Sequence, residues 1–102
     1  MRKIIIRVVI AAVILLVGIG VFQWHNYQQK VEYRKEALLY FKEEDYSKTI
    51  SYLGQALKLQ SVFAGKLDLD MTCYLAESHY QLKEYDEAEK IYDKLINKKK
   101  KN

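Results

Sequence analysis

The sequence predicts an all-α protein, with a single N-terminal transmembrane helix followed by a short antiparallel helix-turn-helix array of about four helices. Three observations carry that expectation. Residues 1–24 hold eighteen apolar residues and no Asp or Glu, whereas residues 25–102 hold thirty-three apolar residues and all thirteen acids. Beyond Trp24 only five residues are Val or Ile, none is Pro, and Gly stands only at positions 54 and 65. Leu, Ala, Lys, Glu, Gln and Tyr dominate there, a composition that favours helix over sheet. Apolar residues in this part also recur three and four apart, the spacing of one helical face.

The first element is the run at 4–24, IIIRVVIAAVILLVGIGVFQW, interrupted only by Arg7 and Gln23. About 20 apolar residues cross a hydrocarbon core of about 30 Å as a helix, so the run is long enough to span. Arg7 lies one turn inside the start, where its long side chain can carry the guanidinium back to the headgroups. Residues 1–3, with Arg2 and Lys3, form a short cytoplasmic N-terminus, and Trp24 and Tyr27 mark the opposite interface, where amphipathic rings are favoured. A cleaved secretory signal shares the basic start and apolar run. Retention as a signal anchor is preferred because the run exceeds the usual 7 to 15 residues of a signal core and no A-x-A-like site follows it. The basic residues nearest the span lie on its N-terminal side, which places the following domain outside the cytoplasm.

The second part begins with a helical connector at 25–32. No Gly or Pro interrupts the chain between Val21 and Glu44, so the span is expected to run into the first amphipathic helix as one rod. Four amphipathic stretches follow, marked by Tyr33, Ala37, Tyr40 and Phe41, by Ile50, Leu53, Ala56 and Leu57, by Met71, Leu75, Ala76, His79 and Tyr80, and by Ala88, Ile91, Tyr92 and Leu95. Breaks are expected at EEDYS, around LQSVFAG and at LKEYD. The first and third breaks share an acid, a Tyr and a polar or acidic pair, with Tyr46 and Tyr85 thirty-nine residues apart. That is an internal repeat.

These residues resemble the tetratricopeptide repeat, a helix-turn-helix unit of about 34 residues. The resemblance covers nearly all of residues 31–97, as two copies at about 33–60 and 67–97. In the second copy it falls on Leu75, Ala76, His79, Tyr85, Ala88, Tyr92 and Leu95; in the first, on Ala37, Tyr40, Tyr46, Thr49, Leu53, Ala56 and Leu57. Thr49 stands where the family usually has alanine, Leu95 likewise, and five extra residues separate the copies. The resemblance implies repeat packing by Ala37, Tyr40, Tyr46, Leu53, Ala56, Ala76, Tyr85, Ala88 and Tyr92, with most of the tyrosines in the core. It also implies a protein-binding groove lined by the first helix of each copy, at Arg34, Leu38, Phe41 and Lys42, then at Asp70, Cys73, Glu77, Tyr80 and Gln81. The family's two-carboxylate clamp for C-terminal peptides needs Asn where Leu38 and Tyr74 stand, so that ligand is not expected.

Other chemistry has little support. The chain contains no glycine-rich phosphate loop, no H-E-x-x-H and no G-x-S-x-G. Cys73 and His79 are six apart on a helix and point in different directions, which disfavours a metal pair. Glu43, Glu44 and Asp45 precede a helix, where acids cap and complement the dipole, and Asp68 and Asp70 open the third helix in the same way. No catalytic residue, metal or cofactor is expected. The lysine-rich tail at 98–102 is a solvated basic end, with contact to anionic lipid or wall polymer as the second reading. Nucleic acid is not an expected partner, because residues 25–97 carry ten bases against thirteen acids.

The function expected from these features is that of a membrane-anchored adaptor, assembly or chaperone-like module that binds a protein or peptide, or another copy of itself. The layout is similar to small bacterial envelope proteins that display such repeats on a signal anchor at the plasma membrane. The alternative, of a different class, is an accessory subunit of a larger membrane complex, working through its transmembrane helix and the Gly18 and Gly20 face.

Overall fold

The computed structural model describes residues 1–100, with side chains through Asn97. Four helices follow one another: α1 (Arg2–Lys42), α2 (Tyr46–Lys58), α3 (Gly65–Gln81) and α4 (Tyr85–Lys100). No strand occurs among the described residues, so the protein is all-α. The apolar run and the first amphipathic stretch are one continuous helix of 41 residues, about 60 Å long at 1.5 Å per residue. It dominates a molecule 66 Å in its longest dimension. The first amphipathic helix is therefore the second half of α1, and residues 25–32 are helical throughout.

The N-terminal half of α1 is long and apolar enough to cross a membrane, with a mean hydropathy of 3.0 over an 18-residue window and none of that window buried. Its second half changes character at Asn26, Lys30 and Ala37, the three buried positions of the helix. Spacings of four and seven put them on one stripe, against which α2, the α2–α3 segment and the start of α3 pack, while α4 packs on α3.

Both hairpins close through the same turn. At the end of α1, the Asp45 N–H donates to the Tyr40 carbonyl (2.9 Å) and the Glu44 N–H to that of Phe41 (3.1 Å). At the end of α3, the Glu84 N–H donates to the His79 carbonyl (2.9 Å) and the Lys83 N–H to that of Tyr80 (2.9 Å). These are Schellman motifs, which satisfy the last carbonyls of a helix and require a left-handed residue. That residue is Glu44 in one (φ 61°) and Lys83 in the other (φ 63°). An aromatic pair staples each turn edge to face: Phe41 on Tyr46 at 5.7 Å, and Tyr80 on Tyr85 at 5.3 Å. The thirty-nine-residue offset thus relates turns, staples and the buried pairs Ala37 with Ala76 and Thr49 with Ala88.

The core is small. Ala37, Leu53, Ala56 and Met71 form its centre, with Tyr33, Tyr52, Leu57, Leu67, Tyr74 and Leu75 packed around them. Alanines at the contacts let the helix backbones approach closely, and the larger side chains fill the flanks. Thr49, fully buried where alanine was expected from the repeat, donates its hydroxyl to the Asp45 carbonyl at 2.9 Å. Polar cost is thereby avoided. Tyr40 stacks on Tyr52 with centroids 5.5 Å apart. Tyr85 and Tyr92 depart from the expected core role: they are 53% and 38% exposed. The reason is positional, since α4 is the last helix described and no further layer covers its outer side.

Candidate functional site

Three cross-contacts set α1 and α3 side by side and parallel, with α2 returning behind them. Lys30 meets Asp68, Arg34 meets Asp70, and the Phe41 ring meets Tyr74 edge to face at 5.2 Å. The positions expected to line a groove divide accordingly. Arg34, Leu38 and Phe41 are half-buried on α1, and Lys42 is exposed at its end. On α3, Asp70 and Glu77 are half-buried, while Cys73, Tyr80 and Gln81 are exposed. Spacings of three and four keep each set on one stripe.

The face is less charged than its composition suggests. Arg34 Nε donates to Asp70 Oδ2 at 2.7 Å, so the two candidate charges neutralise each other across the helices. Glu77 accepts from the Gln81 amide (2.9 Å) and from the Tyr92 hydroxyl (3.4 Å). Tyr92 on α4 therefore rims the face, and burial followed by the Glu77 carboxylate raises its phenol above the ordinary value of 10.0. What stays accessible is Tyr80, the Cys73 thiol and Gln81, with Lys42 at the end and the half-buried Leu38 and Phe41 between. Such a mixed surface suits a peptide or helix face better than an anion or a metal. Among the described residues no group of three or more His, Cys, Asp or Glu lies in metal-binding proximity.

A second cluster was not foreseen. Gln23, Asn26, Lys30 and Arg34 form a polar stripe on α1 with spacings of three and four, and each reaches the α2–α3 segment or the start of α3. The Gln23 side-chain oxygen accepts from the Val62 N–H, and its carbonyl from the Ser61 hydroxyl, both at 2.9 Å. The Asn26 amide donates to the Gln60 carbonyl at 2.8 Å. Lys30, fully buried, places Nζ 2.6 Å from Asp68 Oδ1. A shallow recess of about 410 Å³ lies against this seam, between Gln23, Leu57, Leu59 and Asp68. The only sequence signal was the helical spacing of those four polar residues, hidden because Lys30 and Arg34 alternate with Glu32 and Glu36.

The tail at 98–102 falls outside the residues whose side chains are described. Trp24 and Tyr27 at the end of the apolar run stack at 5.7 Å, and Trp24 also meets Phe63 edge to face at 6.2 Å. Arg2, Lys3 and Arg7 lie exposed at the far end of α1.

Fold and surface together define a class: paired antiparallel helices built on a helix of membrane-spanning length. In comparisons with known proteins, no family model matches the chain, and neither a curated protein nor a solved structure does.

Proposed function

We propose that the protein is a membrane-anchored interaction module of the tetratricopeptide type, whose α1–α3 face receives a segment of a protein partner. The carrying observation is the repeated hairpin. Two helix pairs with the same turn and the same aromatic staple set their first helices parallel, leaving a face between them that holds the accessible Tyr80 and the half-buried Leu38 beside a neutralised ion pair. No chemistry is required of such a module. Its mechanism is recruitment, because confining the face to a bilayer raises the local concentration of whatever it holds.

The anchor is the apolar half of α1, retained rather than cleaved. The contacts at the end of the apolar run support retention: Gln23 and Trp24 hold Ser61, Val62 and Phe63, so removal of residues through Trp24 would strip them from the folded domain. The charges of Arg2, Lys3 and Arg7 favour a cytoplasmic N-terminus and a domain beyond a bacterial plasma membrane.

Site-specific photocrosslinking from the full chain in its native membrane tests the reading. Probes at Leu38 and Tyr80 are expected to capture a protein, either a partner or a second copy, while a probe at exposed Gln55 on α2 captures none. Adducts formed only from probes at Gly18 and Gly20 would replace this reading with that of an accessory subunit working through its span. Protease added outside sealed cells is expected to digest the domain; protection would reverse the orientation.

A further inference from the structure

The α2–α3 segment carries apolar side chains that the fold leaves largely exposed. Val62 is 79% exposed and Phe63 54% exposed, although both sit in a loop, where apolar residues have no packing reason to be. Their height along α1 is fixed by the contacts already described. Val62 and Ser61 are hydrogen-bonded to Gln23, and Phe63 touches Trp24, itself 55% exposed. Gln23 and Trp24 are the last two residues of the apolar run, which is the level at which a spanning helix leaves hydrocarbon for headgroups.

The charges at this level have one sign. Lys58 ends α2, Lys66 opens α3, and no acid stands between Leu59 and Leu67. Asp68, the nearest acid, is paired with Lys30. Because α4 runs antiparallel to α3, its backbone ends on the same side of the molecule. The opposite side holds the two Schellman turns, with Glu43, Glu44, Asp45, Glu84, Asp86 and Glu87 against Lys42, Lys48 and Lys83. The domain is thus basic where α1 emerges from its apolar half and acidic at the far turns.

From this juxtaposition we propose that the α2–α3 loop is a second membrane contact: Val62 and Phe63 enter the interface of the leaflet from which α1 emerges, beside Trp24, with the surrounding lysines on anionic headgroups. The domain sits upon the bilayer rather than swinging free above it. Aromatic and aliphatic side chains at this depth exchange water for the acyl boundary, and each nearby lysine adds attraction to an anionic surface. Gln23 follows from the same arrangement, since its side chain is satisfied by the loop and not left in lipid. The inference rests on the proposed anchoring of α1.

The test uses the full chain in vesicles of phosphatidylcholine and phosphatidylglycerol whose acyl chains are brominated close to the headgroup. Trp24 is the sole tryptophan, so the native protein reports on the anchor. The exchange Trp24→Phe with Phe63→Trp keeps an aromatic pair and reports on the loop. Blue-shifted emission and bromine quenching at position 63, comparable to those of Trp24, are the expected result. Quenching of Trp24 with water-like, unquenched emission from position 63 overturns the second contact and leaves the anchor standing. Blue-shifted emission without quenching means that another copy covers the loop, and it also overturns the proposal. Absence of quenching at both positions overturns the anchor and the loop contact together.

Discussion

At the scale of single residues, the most consequential side chain is Lys30. It is completely buried, its partner Asp68 retains a third of its side-chain exposure, and the pair closes at 2.6 Å. The two halves are therefore not equivalent. Asp68→Asn leaves an ammonium without its counter-charge in the interior, whereas Lys30→Met leaves a carboxylate that water still reaches. Stability loss is expected to be about 3 kcal/mol for Asp68→Asn and about 1 kcal/mol or less for Lys30→Met. Urea unfolding of the two variants measures the difference, and equal losses would refute the asymmetry. This pair was illegible in the sequence. Asp68 lies 38 residues from Lys30, while Glu32 and Glu36 stand close by in the chain, so nothing in the local charge pattern singles out Asp68 as the partner. Tyr92 adds a pH dependence. Its phenol is raised above 10.0 in the folded protein, so the native state holds that proton more tightly than the unfolded chain does. The resulting stabilisation is complete below about pH 10 and is lost as pH rises through the raised value. Above that pH the native protein should lose stability more steeply than Tyr92→Phe, as followed by urea midpoints across the alkaline range.

At the scale of elements, the hairpin turns show why helix breaks were legible without Gly or Pro. A chain of good helix formers stops where an acid can cap the next helix, and Asp45 does so by accepting from the Lys48 N–H at 3.2 Å. Asp45→Ala is expected to cost about 1 kcal/mol. The sequence did not disclose the backbone geometry that precedes the cap. Glu44 and Lys83 occupy left-handed conformations that penalise a side chain by roughly 1–2 kcal/mol, against about 0.5–1 kcal/mol for the greater chain entropy of glycine. Glu44→Gly and Lys83→Gly should therefore each stabilise the protein, by about 0.5–1 kcal/mol on that difference. A fall in thermal midpoint for both would show that these side chains make compensating contacts. The aromatic positions were half legible. Repeat spacing identified Tyr46 and Tyr85 as equivalents, and both staple a turn. Only the neighbouring helices decide exposure, and α4 has a neighbour on one side alone.

At the scale of the whole molecule, the governing fact is that one helix joins an apolar half of membrane-spanning length to a half that packs into the folded domain. Composition divides the chain near Trp24, and the repeat pattern begins near Tyr33, which leaves residues 25–32 looking like a connector. The structure gives that stretch a packing role. Asn26 and Lys30 lie on the same stripe as Ala37, and they hold the α2–α3 segment and α3 through contacts 34 and 38 residues away in sequence. Periodicity missed them because it counts apolar residues, and this stripe is polar where it approaches the apolar half. The cooperative unit should accordingly begin near Gln23 and not at the repeat boundary. A fragment covering 23–102 retains the Gln23, Asn26 and Lys30 contacts; one covering 33–102 loses all three and leaves Asp68 without its cation. These residues make four hydrogen bonds; at about 0.5–1.5 kcal/mol each, and more when charged, they amount to a large share of the stability of so small a domain. At roughly 4–8 °C per kcal/mol for 60–100 residues, the shorter fragment should melt at least about 10 °C lower by circular dichroism. Melting of the two at the same temperature would return residues 25–32 to the status of a passive connector.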